Sequence, residues 1–226
     1  MRILQGFAGL VLAATAVAGL VGALAAVEPT APLSLVMLSS ASLDMARLPS
    51  GWQLRVKHGT PDLASVEDGD NRALRFKSQD SSFAMERAVD VDINRYPVLT
   101  WKWKVSQLPV GGDFRHAATD DQAAQVLVAF VDHRILSYIW DTSAPKGAFR
   151  ETSPVPLLRI FALVCQSGSS SLNQWTLEAH NVVQDYQKAF NRPPSNVKGI
   201  RLQINTQHTD SAAESYFSDV AFQTAR

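Results

Sequence analysis

Carboxylates carry most of the chemistry this chain offers. Asp113, Asp120 and Asp121, with His116, fall in one polar stretch between two apolar runs. Clustered carboxylates on a loop supply the oxygen ligands that calcium prefers, or an acid and a base for proton transfer. Their spacing matches neither an EF-hand loop nor a His-Glu-x-x-His frame, so turn solvation is the competing reading. Asp219 lies within Tyr216-Phe-Ser-Asp-Val-Ala-Phe222, with apolar neighbours on both sides. It is the candidate ligand of a structural calcium ion, or else a carboxylate paired with a nearby base. Glu86, Glu151 and Glu178 would form an acid pair with the aspartates only at the right separation in space. Five histidines and many serines stand in no nucleophile frame: there is no G-x-S-x-G and no paired Cys and His signature. The single cysteine, Cys165, sits in Ile160-Phe-Ala-Leu-Val-Cys165, which reads as a small core residue and allows no intramolecular disulfide.

These residues must be positioned by strands. Leu99, Trp101, Trp103 and Val105 alternate with Thr100, Lys102 and Lys104, the period of a strand with one buried face. Trp52, Leu54 and Val56 show the same phase, as do Trp175 with Leu177, and Ile200, Leu202 and Ile204. Ala123 to Val131 and Leu157 to Cys165 are apolar on both faces and predict central strands. Pro61-Asp62 and Glu67-Asp-Gly-Asp-Asn71 mark turns. Asn181 to Phe190 predicts one helix, with Val182, Val183, Tyr186 and Phe190 on one side and Pro193-Pro194 ending it. About ten strands with a single short helix predict an all-β fold: a two-sheet antiparallel β-sandwich of jelly-roll type. Trp101, Trp103 and Trp175 are then core.

The polar phases of those strands give the candidate ligand face. Lys102, Lys104, Glu178, Arg201, Gln203 and Asn205 point away from the apolar phase, and strand pairing is expected to gather them where a sugar or acidic ligand binds. The same residues also suit a solvated outer face with cross-strand ion pairs. Trp140, at the start of the proline-rich stretch 141–156, is a candidate rim aromatic for stacking. The candidate ligand set is therefore Asp120, Asp121, Trp140, Glu178, Asn205 and Asp210.

The 226 residues carry 21 Lys and Arg against 21 Asp and Glu, so there is no cationic surplus for a nucleic-acid partner. Arg2 precedes Ile3 to Val27, an uncharged run that includes Ala23-Leu-Ala-Ala26 before Glu28-Pro29. Residues 1–26 read as a signal peptide, or as an N-terminal membrane anchor if uncleaved. Residues 27–50 read as a linker and 51–226 as the β-sandwich domain, facing the periplasm. Membrane contact is expected only through the N-terminal segment.

Several motifs then occur in order: Leu99-Thr-Trp-Lys-Trp-Lys-Val105, Thr119-Asp-Asp-Gln-Ala-Ala124, Tyr138-Ile-Trp140, Trp175-Thr-Leu-Glu178, Asp185-Tyr186, Pro193-Pro194, Gly199-Ile200 and Tyr216 to Phe222. From about Gly51 to Phe222 the chain resembles the exported bacterial family catalogued as domain of unknown function 3047. The resemblance implies a strand pattern similar to galactose-binding-like jelly rolls of carbohydrate-binding modules, and no activity. Asn205-Thr-Gln-His-Thr-Asp210 departs from the Asp-rich loop expected there, which weakens a metal loop. The reading is an exported, non-catalytic binding module for a carbohydrate or other polar envelope ligand. Its rivals are an envelope glycan hydrolase or lyase using the loop carboxylates with Glu178, and an assembly protein that docks an envelope protein.

Overall fold

The structure, a computed structural model, describes residues 34–225; the expected export segment lies outside them. Thirteen strands run in chain order: β1 Ser34–Leu38, β2 Gln53–His58, β3 Asp62–Asp68, β4 Asn71–Gln79, β5 Ser82–Val91, β6 Val98–Gln107, β7 Ala124–Phe130, β8 Arg134–Asp141, β9 Phe149–Thr152, β10 Arg159–Ser167, β11 Thr176–Asn181, β12 Val197–Asn205 and β13 Ala212–Gln223. The helix α1, Val182–Phe190, follows β11 directly. Asn181 caps it by accepting hydrogen bonds from Val183 N and Gln184 N, and Asn191 closes it in the left-handed region.

The strands form two sheets of a jelly-roll-like sandwich. One has the order β11-β6-β13-β4-β3 with β1 added against β13, and the other the order β2-β5-β12-β7-β8-β10-β9. The alternation in the sequence decides which side chains face the gap between them. Leu99, Trp101, Trp103 and Val105 of β6 are fully buried, and so are Val126, Val128 and Phe130 of β7 and Leu202 and Ile204 of β12. Trp101 meets Trp103 edge-on at 5.4 Å between ring centres, and Trp103 meets Trp140 at 5.9 Å. Burying each such ring stabilises the fold by about 2–3 kcal/mol before entropy is counted.

Four features differ from the sequence expectation, each for a physical reason. Residues 34–38, within the stretch read as a linker, form β1, whose Met37 and Leu38 are buried. The Met37 carbonyl accepts from Trp52 Nε1 at 3.1 Å and Arg87 Nη1 at 2.8 Å, which fixes the strand to the domain. The proline-rich stretch contains β9, and because β10 inserts between β8 and β9, β10 runs parallel to β8 in an otherwise antiparallel sandwich. Edge strand β11 has the opposite phase to that expected. Leu177 is 65% exposed while Glu178 turns inward at 9%, because Gln166 of the other sheet bonds it across the gap. Trp175 is half-buried on the outer face of the six-stranded sheet. There it donates to Asp68 at 2.7 Å and, with Tyr216, flanks the Lys104 ammonium.

Candidate functional site

The outward face of the seven-stranded sheet is the floor of a groove of about 860 Å³. Its composition follows from strand register, since residues paired across strands share a face. One row runs Gln53, Glu86, Arg201, Leu127, Ser137, Ala162 and Arg150 from β2 to β9. The next row runs Arg55, Ala84, Gln203, Gln125 and Ile139. On the other side Ala88, Gly199, Ala129, Ile135, Ile160 and Thr152 make a row of small and aliphatic residues. The groove is thus charged over β2, β5 and β12 and aliphatic over β7, β8 and β10. Phe114, Asp120, Gln122, Gln207 and His208 add loop walls.

Both carboxylates in this groove are engaged. Glu86 accepts from Arg55 Nε at 2.5 Å and from Arg201 Nη2 at 2.6 Å. Burial works to raise its pKa, but the two guanidinium bonds outweigh burial and hold it below the usual range. Asp120 accepts from Arg150 Nη2 at 2.9 Å and Gln122 Nε2 at 2.8 Å. Arg55 and Arg201 remain open to solvent, with 57% and 43% of their side chains exposed.

Asp120 and Asp121 diverge despite being adjacent. Asp121 is fully buried and accepts from His208 N (2.9 Å), Thr209 N (2.8 Å), Thr209 Oγ1 (2.8 Å) and Asn205 Nδ2 (2.9 Å). It is a clamp that ties the turn after β12 to the loop after β6. Asn205 belongs to both settings: it reaches Asp121 and the Asp120 carbonyl with its amide nitrogen, and it accepts from Gln125 with its oxygen. Asp113 is spent locally, held by Arg115 through two side-chain bonds and a backbone bond that bring its pKa to about 2.

The remaining candidates do not join this groove. Trp140, expected at the rim, is fully buried, and its Nε1 donates to the Gly168 carbonyl at 3.1 Å because its strand phase points it between the sheets. Glu178 belongs to the other sheet and faces the interior. Asp210 is exposed in the turn between β12 and β13, at φ +47°, outside the groove lining. Lys102 and Lys104 lie on the outer face of the six-stranded sheet, so the expected gathering of six polar residues on one face is limited to Arg201, Gln203 and Asn205. Asp219 sits at a bulge of β13, at φ +51°, where Ser40 N donates to it at 2.9 Å and Lys102 Nζ lies 3.0 Å away. Burial works against ionisation there, but these two donors outweigh it and lower the Asp219 pKa. Its carboxylate already has a cationic partner, and among the described residues no group of three or more His, Cys, Asp or Glu gathers for a metal ion.

A second polar cluster lies at one edge of the sandwich, where β11 of one sheet faces β10 of the other. His180 Nδ1 is 3.1 Å from Asp185 Oδ2, its Nε2 is 3.5 Å from Cys165 Sγ and 3.8 Å from Glu178 Oε2, and its ring stacks on Trp101. Tyr138 donates to the same Asp185 oxygen at 2.8 Å. The order thiol, imidazole, carboxylate is that of a nucleophilic triad. Yet Cys165 is 3% exposed, and burial pushes its thiol up despite the neighbouring imidazole. Burial alone would lower His180, but its bonds to Asp185, Cys165 and Glu178 prevail and raise it to about 11. The imidazolium therefore links Glu178, which faces the gap between the sheets, to Asp185 on α1. Two sequence signals point to it: Asp185 sits four residues after the cap of α1, and His180 immediately precedes that cap.

No curated protein matches the chain at a significant level. Among solved structures, the xyloglucanase domain of NopAA, a type three effector from Sinorhizobium fredii, in complex with cellobiose, is 8% identical with a TM-score of 0.48, over 76% of this chain and 93% of that one. The family 30 carbohydrate-binding module of a cellulosomal cellulase of Clostridium thermocellum is 13% identical with a TM-score of 0.46, over 86% and 98%. A family 29 carbohydrate-binding module variant is 12% identical with a TM-score of 0.41, over 86% and 94%. None of the three reaches a TM-score of 0.5. A family model covers residues 51–221, most of the chain and nearly all of the sandwich, and this protein belongs to that family, described as "Protein of unknown function (DUF3047)".

Proposed function

We propose that the protein is an exported, non-catalytic binding module that holds a carbohydrate, or a similar polyhydroxylated envelope ligand, in the groove on its seven-stranded sheet. One observation carries the reading: a groove of about 860 Å³ lies over a regular sheet face in which polar side chains stand in register across strands. Gln203 offers both a donor and an acceptor and Gln53 its amide nitrogen, at spacing fixed by the strands, which suits hydroxyl groups. The aliphatic rows beside them suit the CH faces of a ring. Hydrolysis of a glycoside needs one carboxylic acid and one carboxylate free to reach the bond. In this groove Glu86 is held between two arginines and Asp120 between Arg150 and Gln122, which favours binding over cleavage.

The test is to incubate the full chain with a panel of labelled glycans, following bound and released material together. Retained ligand without product is the expected result. Product release that depends on Glu86 or Asp120 would overturn the non-catalytic reading.

A further inference from the structure

We propose that the groove selects an acidic saccharide, with a carboxylate or sulfate of the ligand seated against the exposed sides of Arg55 and Arg201 that Glu86 does not occupy; this deepens the binding reading above and rests on it. Charge is the first ground. Over the whole chain acids and bases balance at 21 each, yet Arg55, Lys57, Arg150, Lys198 and Arg201 line the groove against Glu86 and Asp120 alone, the guanidinium of Arg87 being turned to the Met37 carbonyl of the other sheet. Five cations against two anions in one concavity is a local surplus, and a low-dielectric wall focuses its field on whatever enters.

The surplus is also unevenly placed. Arg150 at the far side is matched by Asp120. Arg55 and Arg201 share the single carboxylate of Glu86, so one guanidinium charge there has no counterpart, and both side chains are about half exposed. Lys57 and Lys198 stand exposed on the same side, with no ion pair among the described residues. A guanidinium presents five donors in a fixed fork; Glu86 takes part of each and Gln53 one more of Arg55, and the other N–H groups of these half-exposed side chains are open to a planar or tetrahedral oxyanion.

What the floor lacks points the same way. Neutral glycans draw much of their affinity from stacking on exposed aromatic rings. Among the residues lining this groove the aromatic one is Phe114, only 2% exposed, and the large aliphatic side chains open to it are Leu127, Ile135, Leu158 and Ile160. Binding energy must then come from charge and from hydrogen bonds to Gln53 and Gln203, with the aliphatic rows lying under the ring.

The experiment titrates the full chain with three oligosaccharides of equal length: an oligogalacturonate, a heparin-derived oligosaccharide and a neutral xyloglucan oligosaccharide. At least one acidic probe should bind about 10-fold tighter than the neutral one, and raising salt from 50 to 300 mM should weaken it by roughly 5- to 10-fold. Which acidic probe wins separates a carboxylate ligand from a sulfate ligand. The Lys57→Gln, Lys198→Gln double variant changes two exposed side chains, so it should fold normally, and it should lose about 5-fold for the acidic probe alone. Equal or tighter binding of the neutral probe, flat in salt, would overturn the acidic selection and leave the binding reading standing. Acidic binding untouched by the double variant would overturn its placement in this groove. No binding of any probe would remove both.

Discussion

The groove and the edge cluster are built from the same materials and do opposite things. In each, carboxylates and bases approach within about 2.5–3.1 Å: Arg55, Glu86 and Arg201 in the groove, His180 and Asp185 at the edge. The groove arginines are roughly half exposed, whereas the His180 and Glu178 side chains are 19% and 11% exposed between two sheets. Water screens the first group, so its pairs contribute little to stability and its donors stay available. The second group is more withdrawn, with only Asp185 keeping 26% of its side chain exposed, so His180 and Glu178 depend on their partners. Contact distance does not separate a strut from a site; access does.

The largest expected effect comes from breaking the closed member of the pair. His180→Ala removes the cation between Asp185 and Glu178 and leaves two carboxylates facing one partner fewer. Urea denaturation should show a loss of about 3 kcal/mol, with ligand binding in the folded protein unchanged. The same cluster sets a pH dependence whose sign follows from the raised His180 value. Its stabilisation is complete below the ordinary value of 6.5 and is lost as pH rises through about 11. The melting temperature of the parent protein should therefore fall between pH 7 and 11 more than that of His180→Gln. Parallel curves would mean that the imidazolium contributes nothing to the edge.

Asp120 and Asp121 place the same contrast in adjacent residues. Asp121→Ala takes a fully buried acceptor from two backbone N–H groups and a threonine hydroxyl, and should cost about 2 kcal/mol in chemical denaturation. Asp120→Ala loses a partly exposed pair with Arg150 and a bond from Gln122 Nε2 at the groove wall, and should cost about 1 kcal/mol. Similar losses for both would show that the loop clamp is not where the geometry puts it.

That pair also marks how far the sequence could be read. Strict alternation in Leu99–Val105 and Ile200–Ile204 was legible because burying one face leaves a period of two, and the capped helix was legible because its signals are local. Arg201, Gln203 and Asn205 were legible as a polar phase. Their companions Gln53, Arg55 and Glu86 were not, since pairing β2 with β5 and β5 with β12 is a long-range event that no local pattern encodes. Trp140 was misplaced because a strand end and a loop start look alike in one dimension. The phase of β11 inverted because an edge strand meets the gap between the sheets, where Glu178 finds Gln166. Four-residue β9, bordered by Pro145 and Pro154, carries too few positions for a period to appear.

The smallest stability effect, and the sharpest check of the contrast, belongs to the groove itself. An Arg55→Gln, Arg201→Gln double variant removes both partners of Glu86, the analogue of removing His180 from the edge. The arginines are exposed, however, and water can solvate the freed carboxylate, whose side chain is 27% exposed before they are removed. The expected loss is therefore under about 1 kcal/mol, and the Glu86 carboxyl should titrate higher once the bonds that lower it are gone. A loss approaching that of His180→Ala would make the Arg55, Glu86 and Arg201 row a strut of the sheet. A nearly unchanged melting curve, together with weakened ligand binding, would place the free energy of that row in recognition, where an open network of this composition can act and the closed edge cannot.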